Sequence, residues 1–275
     1  WSGELASVDR YDRALPNIPA ATGNGTAATR VPDAGDGRDA DGLPEPVTFD
    51  LEPSLVRTLT ATASACGITP ATLVQGAWAA VLTARSGRKD VHFGTMVSGR
   101  SPEVDGVEEI IGLLANTVPV RATLTGRLGD ALRDLQQRQQ ALAPHHAVSL
   151  PDLERSVGVK RLFDSLLVFE NYPVDPDRLA EPAPGLRLTG MRFREFTHHP
   201  VTVTVMPEGA GWRGIVACRP GAVAEPAGRI AAAFERVLRA LPDVLGEAGG
   251  SGAAGTADGA ALVRIAERAL RDGPE

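Results

Sequence analysis

The period of the apolar positions changes several times along the chain, and each change marks an element. Val47, Phe49 and Leu51 alternate with polar neighbours, the spacing of a half-buried strand. Over residues 53–66, Leu55, Leu59 and Ala63 recur at helical spacing, and Gly67 supplies the left-handed stop. Thr69 and Pro70 open a second helix, with Thr as its N-cap and Pro at its first position. Leu73, Val74, Ala77, Trp78, Val81 and Leu82 form the buried stripe of that helix, and Gly87 closes it. Residues 91–97 predict a strand, and residues 117–124 another, with Val118, Val120, Ala122 and Leu124 on one face. Leu128, Ala131, Leu132, Leu135 and Leu142 mark an amphipathic helix over 128–142. The run 163–169 is almost continuously apolar, as in a strand near the middle of a sheet. Residues 186–196, 201–206 and 212–218 predict three more strands in a meander-like run, followed by a helix over 224–241 that turns Ile230, Phe234, Val237, Leu238 and Leu241 inward. No repeat of fixed period occurs.

Several strands in one mixed sheet, with helices packed on one face, make a two-layer α/β sandwich. Two stretches interrupt the pattern. Residues 19–46 are rich in Gly, Ala, Pro and Asp, and residues 246–259 are mostly Gly and Ala, so both read as linkers. The expected organisation is a leading segment and flexible linker over 1–46, a globular body over 47–245, and a Gly/Ala linker with a short tail helix over 246–275. That tail carries Leu262, Ile265, Ala266, Ala269 and Leu270 as its apolar stripe.

Composition narrows the function classes. With 43% hydrophobic and 23% charged residues among 275, wholesale disorder is excluded. No apolar run approaches the roughly 18 residues of a membrane span. The opening residues lack the basic-then-apolar pattern of a secretory signal and also an initiator Met, so the chain reads as a piece of something longer. A net charge of −6 argues against a protein built to grip nucleic acid. Two cysteines, Cys66 and Cys218, are too few for a disulfide framework or a thiolate metal cage; small apolar packing roles and a reducing cytoplasmic setting are expected. Aromatic residues are only 4%, so the core must be aliphatic.

Candidate chemistry is sparse. The histidines include two adjacent pairs, His145-His146 and His198-His199. Neighbours on a strand point to opposite faces, and neither pair has the spacing of a metal motif, so no metal is expected. A Gly250, Gly252, Gly255 pattern matches a phosphate-binding fingerprint by letters, but sits in a linker with no strand before it. No nucleophile elbow and no P-loop occur. Ser98, Gly99 and Arg100 end a strand in a polar loop, where the guanidinium either meets a phosphate or carboxylate or is a solvated cation on a Gly-rich turn. Asn116 either caps the turn before the next strand or offers its amide to a cleft.

Taken in order, several stretches resemble the second lobe of nonribosomal peptide synthetase condensation domains. TPATLVQGAW at 69–78 is similar to the helix ahead of a loop in that family, and DVHFGTMVSGRSP at 90–102 follows it. GVEEIIGLLANTVPVR at 106–121 resembles the IGxFxNTxPxR motif, and LFDSLLVFENYP at 162–173 resembles the FDxLLVFENYP strand. HPVTVTV at 199–205 is similar to a later strand, with His199 where Tyr is usual. The resemblance spans 47–245, and more faintly 1–18, where WSGELA is similar to the segment between the lobes.

The resemblance implies a chloramphenicol-acetyltransferase-like fold forming one wall of a tunnel. There a carrier-bound acyl or peptidyl thioester is condensed with a carrier-bound aminoacyl amine. It implies no cofactor bound by this lobe; the phosphopantetheine arms of peptidyl carrier proteins enter the tunnel. The implied partners are those carriers and an N-terminal lobe bearing the HHxxxDG motif, with no nucleic acid and no membrane. Neither histidine pair here is followed by Asp-Gly at the required spacing, so no catalytic residue is assigned and the lobe is expected to be inactive alone. Asn116, Ser98 and Arg100 are candidates for the tunnel or interface, and Asp164 for a structural ion pair with Arg121 as a candidate partner. The alternative is a non-catalytic condensation-like module that docks carrier proteins or tailoring enzymes.

Overall fold

The structure is a computed structural model, which describes residues 5, 45–100, 105–170, 186, 199–246 and 258–272. Its strands are β1 (Val47–Leu51), β2 (Asp90–Val97), β3 (Asn116–Thr123), β4 (Ser165–Phe169), β5 (Val201–Glu208) and β6 (Gly211–Cys218). Its helices are α1 (Pro53–Ala65), α2 (Pro70–Ser86), α3 (Leu128–Leu142), α4 (Leu150–Val157), α5 (Ala227–Gly246) and α6 (Gly259–Asp272). The strands form one mixed sheet in the order β1-β6-β5-β4-β2-β3. The central strands β2, β4 and β5 run parallel, and the outer pairs are antiparallel.

Register decides which residues share a face. Val47 lies opposite Val216, Val216 opposite Val203, Val203 opposite Leu167, Leu167 opposite Thr95, and Thr95 opposite Val118. This row crosses all six strands, and the rows beside it carry Phe49, Leu51, Phe93, Val120, Val201 and Val205 into the same core. Helix α2 lies over it, capped as its sequence predicts: the Thr69 hydroxyl accepts from the Thr72 N–H, and Gly87 takes the left-handed conformation at φ 68°. Trp78 on α2 is fully buried, and its indole N–H donates to the Ser165 hydroxyl at 3.2 Å. Its ring meets Phe234 of α5 edge-on at 5.7 Å.

Helix α6, expected as a tail, packs against α2 and α5 with Leu262, Ala266 and Ala269 fully buried. It is pinned at its start, where the Gly259 N–H donates to the Gly126 carbonyl at 2.9 Å. A Cβ at Gly259 would collide with the Leu124 carbonyl, so a side chain there would prevent this approach.

Most strand ends shift by one or two residues, α5 and β4 differ more clearly, and one expected strand lies beyond reach. α5 begins at Ala227, immediately after Pro226, and runs to Gly246. β4 begins at Ser165 rather than at 163, because Phe163 turns its ring onto the sheet face away from the main helical layer. α4 was not anticipated: eight residues are too few for a helical period to show, and its signals are a Ser149 cap and Pro151 at the start. Apart from Leu186, the strand expected over 186–196 lies outside the described residues. No single described helix is long and apolar enough to cross a membrane.

Leu153 of α4 joins Leu5, Leu162 and Phe163 in a second, smaller core, so one helix departs from the one-faced arrangement. The Phe163 ring occupies the space where a side chain of residue 94 would stand, and it is itself held by a tilted stack on His199 at 5.2 Å. Gly94→Ala is therefore expected to destabilise the fold by about 1–3 kcal/mol through overpacking, despite the lower backbone entropy cost of Ala. Urea unfolding of both proteins checks this, and equal midpoints would show that the Phe163 ring can move aside.

Candidate functional site

β2, β4 and β5 run parallel, so their carboxyl ends lie on one side of the sheet. In open α/β sheets ligands gather outside such ends. β2 leaves the sheet at Val97 and β3 re-enters at Asn116, directly opposite. The intervening loop and the α3–α4 connection meet here, and they carry three of the sequence-predicted site residues together with His146.

Asn116 commits all of its amide. Nδ2 donates to the His146 carbonyl at 2.7 Å and the Val148 carbonyl at 2.9 Å, and Oδ1 accepts from the Thr117 N–H at 2.9 Å. One side chain thus caps the start of β3 and clamps the α3–α4 connection against it. Of the two roles left open by sequence the cap is the one observed, and the carbonyls that the amide clamps could be found only by folding. His145 is exposed and His146 half-buried. Burial, and secondarily the neighbouring His145, lowers the His146 pKa below its ordinary 6.5.

Arg100 turns inward to its own loop. Nη1 donates to the Val107 carbonyl and Nη2 to the Ile110 carbonyl, the latter at 3.2 Å. Its backbone N–H donates to the exposed Ser98 hydroxyl at 3.3 Å. The guanidinium is thereby a staple between the two sides of the loop. Gly99 has φ 65°, and a Cβ there would overlap the Leu114 carbonyl, so the two limbs of the loop touch through backbone alone.

The expected pairing of Asp164 with Arg121 is corrected. Arg121 Nε donates to both Asp90 oxygens, at 3.0 and 2.9 Å, while Asp164 receives Arg161 Nη1 at 3.1 Å. The antiparallel register explains the exchange: Asp90 faces Thr123 and His92 faces Arg121, so Asp90 and Arg121 are diagonal neighbours on one face. Burial pushes the Asp90 carboxyl up, but Arg121 and the Thr123 hydroxyl outweigh it and hold the pKa below its ordinary value.

Elsewhere, burial pushes the Cys218 thiol up to about 11, with Arg85 opposing and Glu225 reinforcing the shift. A thiol so protonated is a packing residue. Among the described residues no group of three His, Cys, Asp or Glu side chains converges as a metal site.

The pattern of the condensation domain family matches residues 29–213 of this chain. The chain belongs to the condensation domain family, and its mixed sheet and helices are the chloramphenicol-acetyltransferase-like sandwich of that family. It is 42% identical over 143 residues to vanchrobactin synthetase VabF of Vibrio anguillarum, covering 51% of this chain and 5% of that protein. It is likewise 42% identical over 154 residues to chondramide synthase cmdD of Chondromyces crocatus, covering 54% of this chain and 4% of that one. In fold it resembles the first condensation domain of the calcium-dependent antibiotic synthetase, solved with a substrate analogue, at a TM-score of 0.56 and 17% identity. That match covers 78% of this chain and 46% of the solved one, so the chain spans about half of a solved condensation domain and a small fraction of the synthetases.

Two outcomes follow from the clamp and the histidine. Asn116→Ala removes two donated bonds, each worth about 0.5–1.5 kcal/mol, and is expected to lower stability and to speed amide exchange across 146–150. Asn116→Asp keeps the acceptor but faces two carbonyl oxygens with a carboxylate, so it should be at least as damaging; full stability in Asp would show that the donated bonds carry nothing. For His146, the unfolded chain takes up the proton first as pH falls. Its contribution to stability is therefore present above pH 6.5, is lost as pH falls below it, and levels off beneath the folded pKa. Denaturation midpoints from pH 8 to 5 should flatten in His146→Gln, and an NMR titration midpoint at or above 6.5 in the parent would contradict the assignment.

Proposed function

We propose that the chain is the C-terminal half of a peptide-bond-forming condensation domain and supplies one wall of its thioester tunnel. In that reaction the acceptor amine attacks the donor thioester carbonyl. The C–N bond forms and the C–S bond breaks. The departing phosphopantetheine thiolate takes up a proton equivalent to the one the amine gives up. Asn116, Ser98 and Arg100 stand on the wall facing this chemistry, and the phosphopantetheine arms come with peptidyl carrier proteins.

The observation that carries the reading is the family match over 29–213 combined with what this half lacks in sequence. His145-His146 is followed by Ala147-Val148-Ser149, and His198-His199 by Pro200-Val201-Thr202, so neither pair reproduces HHxxxDG. Burial and the neighbouring His145 hold the His146 pKa below its ordinary value, and Asn116 clamps the His146 carbonyl. A half carrying HHxxxDG is accordingly a required partner.

Reconstitution tests this. The chain, loaded donor and acceptor carrier proteins and a separately expressed HHxxxDG half are combined, and peptidyl transfer to the acceptor carrier is followed by mass spectrometry. The chain alone should give no product, and the mixture should give the condensed product. Turnover by the chain alone would overturn the division of labour. Carrier binding without turnover in the full mixture would instead establish the docking module.

A further inference from the structure

We infer that the buried Arg85 guanidinium holds a small monovalent inorganic anion of the size of chloride, in a site closed by the connection between β6 and α5. The site lies at the end of the sheet away from Asn116 and is independent of the tunnel reading.

Three parts of the chain meet there. Arg85 lies in the last turn of α2, Cys218 ends β6 opposite Val201 at the start of β5, and Glu225 lies just before α5. The charges of Arg85 and Glu225 both act on the Cys218 thiol. The Arg85 side chain is 2% exposed and that of Glu225 33%. Glu225 Oε2 comes within 2.6 Å of Arg85 Nη2, yet it is not aligned as a hydrogen-bond acceptor. Among the described residues, Arg85 Nε and Nη1 are sealed from solvent and have no hydrogen-bond partner. Those two nitrogens carry most of the N–H donors of a guanidinium.

A guanidinium does not escape burial by losing its proton. A buried charge persists when it is both paired and hydrogen-bonded, and here each internal source of negative charge falls short. Glu225 is one-third exposed, so solvent screens its attraction. Burial pushes the Cys218 pKa up to about 11 against the opposing pull of Arg85, so the thiol stays protonated and supplies no charge. At the end of α2 the Leu82 carbonyl accepts from the Ser86 hydroxyl at 2.8 Å, and the Thr83 carbonyl from the Gly87 N–H at 2.8 Å.

The donors left on Arg85 therefore call for an acceptor that brings its own negative charge. Water would accept the hydrogen bonds but leave the charge balance unchanged. A site so closed to solvent admits a single atom more readily than a tetrahedral oxyanion.

Urea unfolding tests this, with sodium chloride replacing sodium gluconate at constant ionic strength, since gluconate is too large to enter. The parent should gain stability with chloride and then saturate, as a ligand of the folded state alone requires. Its presence should also broaden the chloride NMR line. Arg85→Met should abolish both effects. Should that variant fail to fold, Glu225→Gln decides: removing the competing carboxylate should tighten chloride binding about fivefold or more, read from the concentration at half-saturation. Equal midpoints in chloride and gluconate would overturn the site. So would a chloride dependence that survives in Arg85→Met or weakens in Glu225→Gln. The half-domain reading is tested separately by reconstitution and stands or falls apart from these outcomes.

Discussion

Eleven consecutive residues of α2, Thr72 to Leu82, are buried, so this helix has no face left for water. It rests on the sheet and is enclosed by α1, α3, α5 and α6. Such a helix must place its few polar groups with care, because each unsatisfied group in that position costs about 1–3 kcal/mol. The Trp78 indole N–H finds the Ser165 hydroxyl on the central strand β4. On the α3 side, Gln75 and Gln139 exchange amide hydrogen bonds at 3.1 and 2.6 Å, and Gln136 accepts from the Thr72 hydroxyl at 3.0 Å. These bonds fix the rotation of α2 against both neighbours, and with it the position of α3. Since α3 leads directly into the His145-His146 connection, the buried polar contacts of α2 set the geometry of the carboxyl end of the sheet.

At that end the polar side chains work mostly on the backbone. Asn116 and Arg100 each bridge two carbonyls, while the Asp90–Arg121 and Arg161–Asp164 ion pairs lie at the other end, where β2 and β4 begin. Donors spent on carbonyls hold loops in place and are not free to move protons. These polar groups stiffen the loops at the carboxyl end of the sheet.

Much of this was legible in the sequence wherever one side chain decides the local outcome. Thr69 with Pro70 and Gly87 fixed the limits of α2, and the alternation from Val118 to Leu124 marked the inward face of β3. α3 over Leu128–Leu142 follows its apolar stripe throughout. What escaped prediction depends on partners distant in sequence. Arg121 has carboxylates available at both Asp90 and Asp164, and only the β2–β3 register brings Asp90 onto its diagonal. Asn116 announces a cap, but its second role needs carbonyls 30 and 32 residues away. Ile111 and Leu113 sit in an apolar stretch that reads as interior by composition, and only the fold turns them outward. Gly94 looks like a weak point in a strand until Phe163 is seen to need its space.

The two sides of the lobe differ in kind. On the helical side, α6 buries Leu262, Ala266 and Ala269 and closes the layer over α2 and α5, so the aliphatic core is sealed within the chain. At the carboxyl end of the sheet, apolar side chains are displayed instead of sealed, on a loop stapled by Arg100. A main core left open would need another body to close it; here the main core is closed, and the large apolar side chains exposed among the described residues are Ile110, Ile111, Leu113 and Leu186. The contacts that hold the fold together therefore lie within this chain, among its described residues.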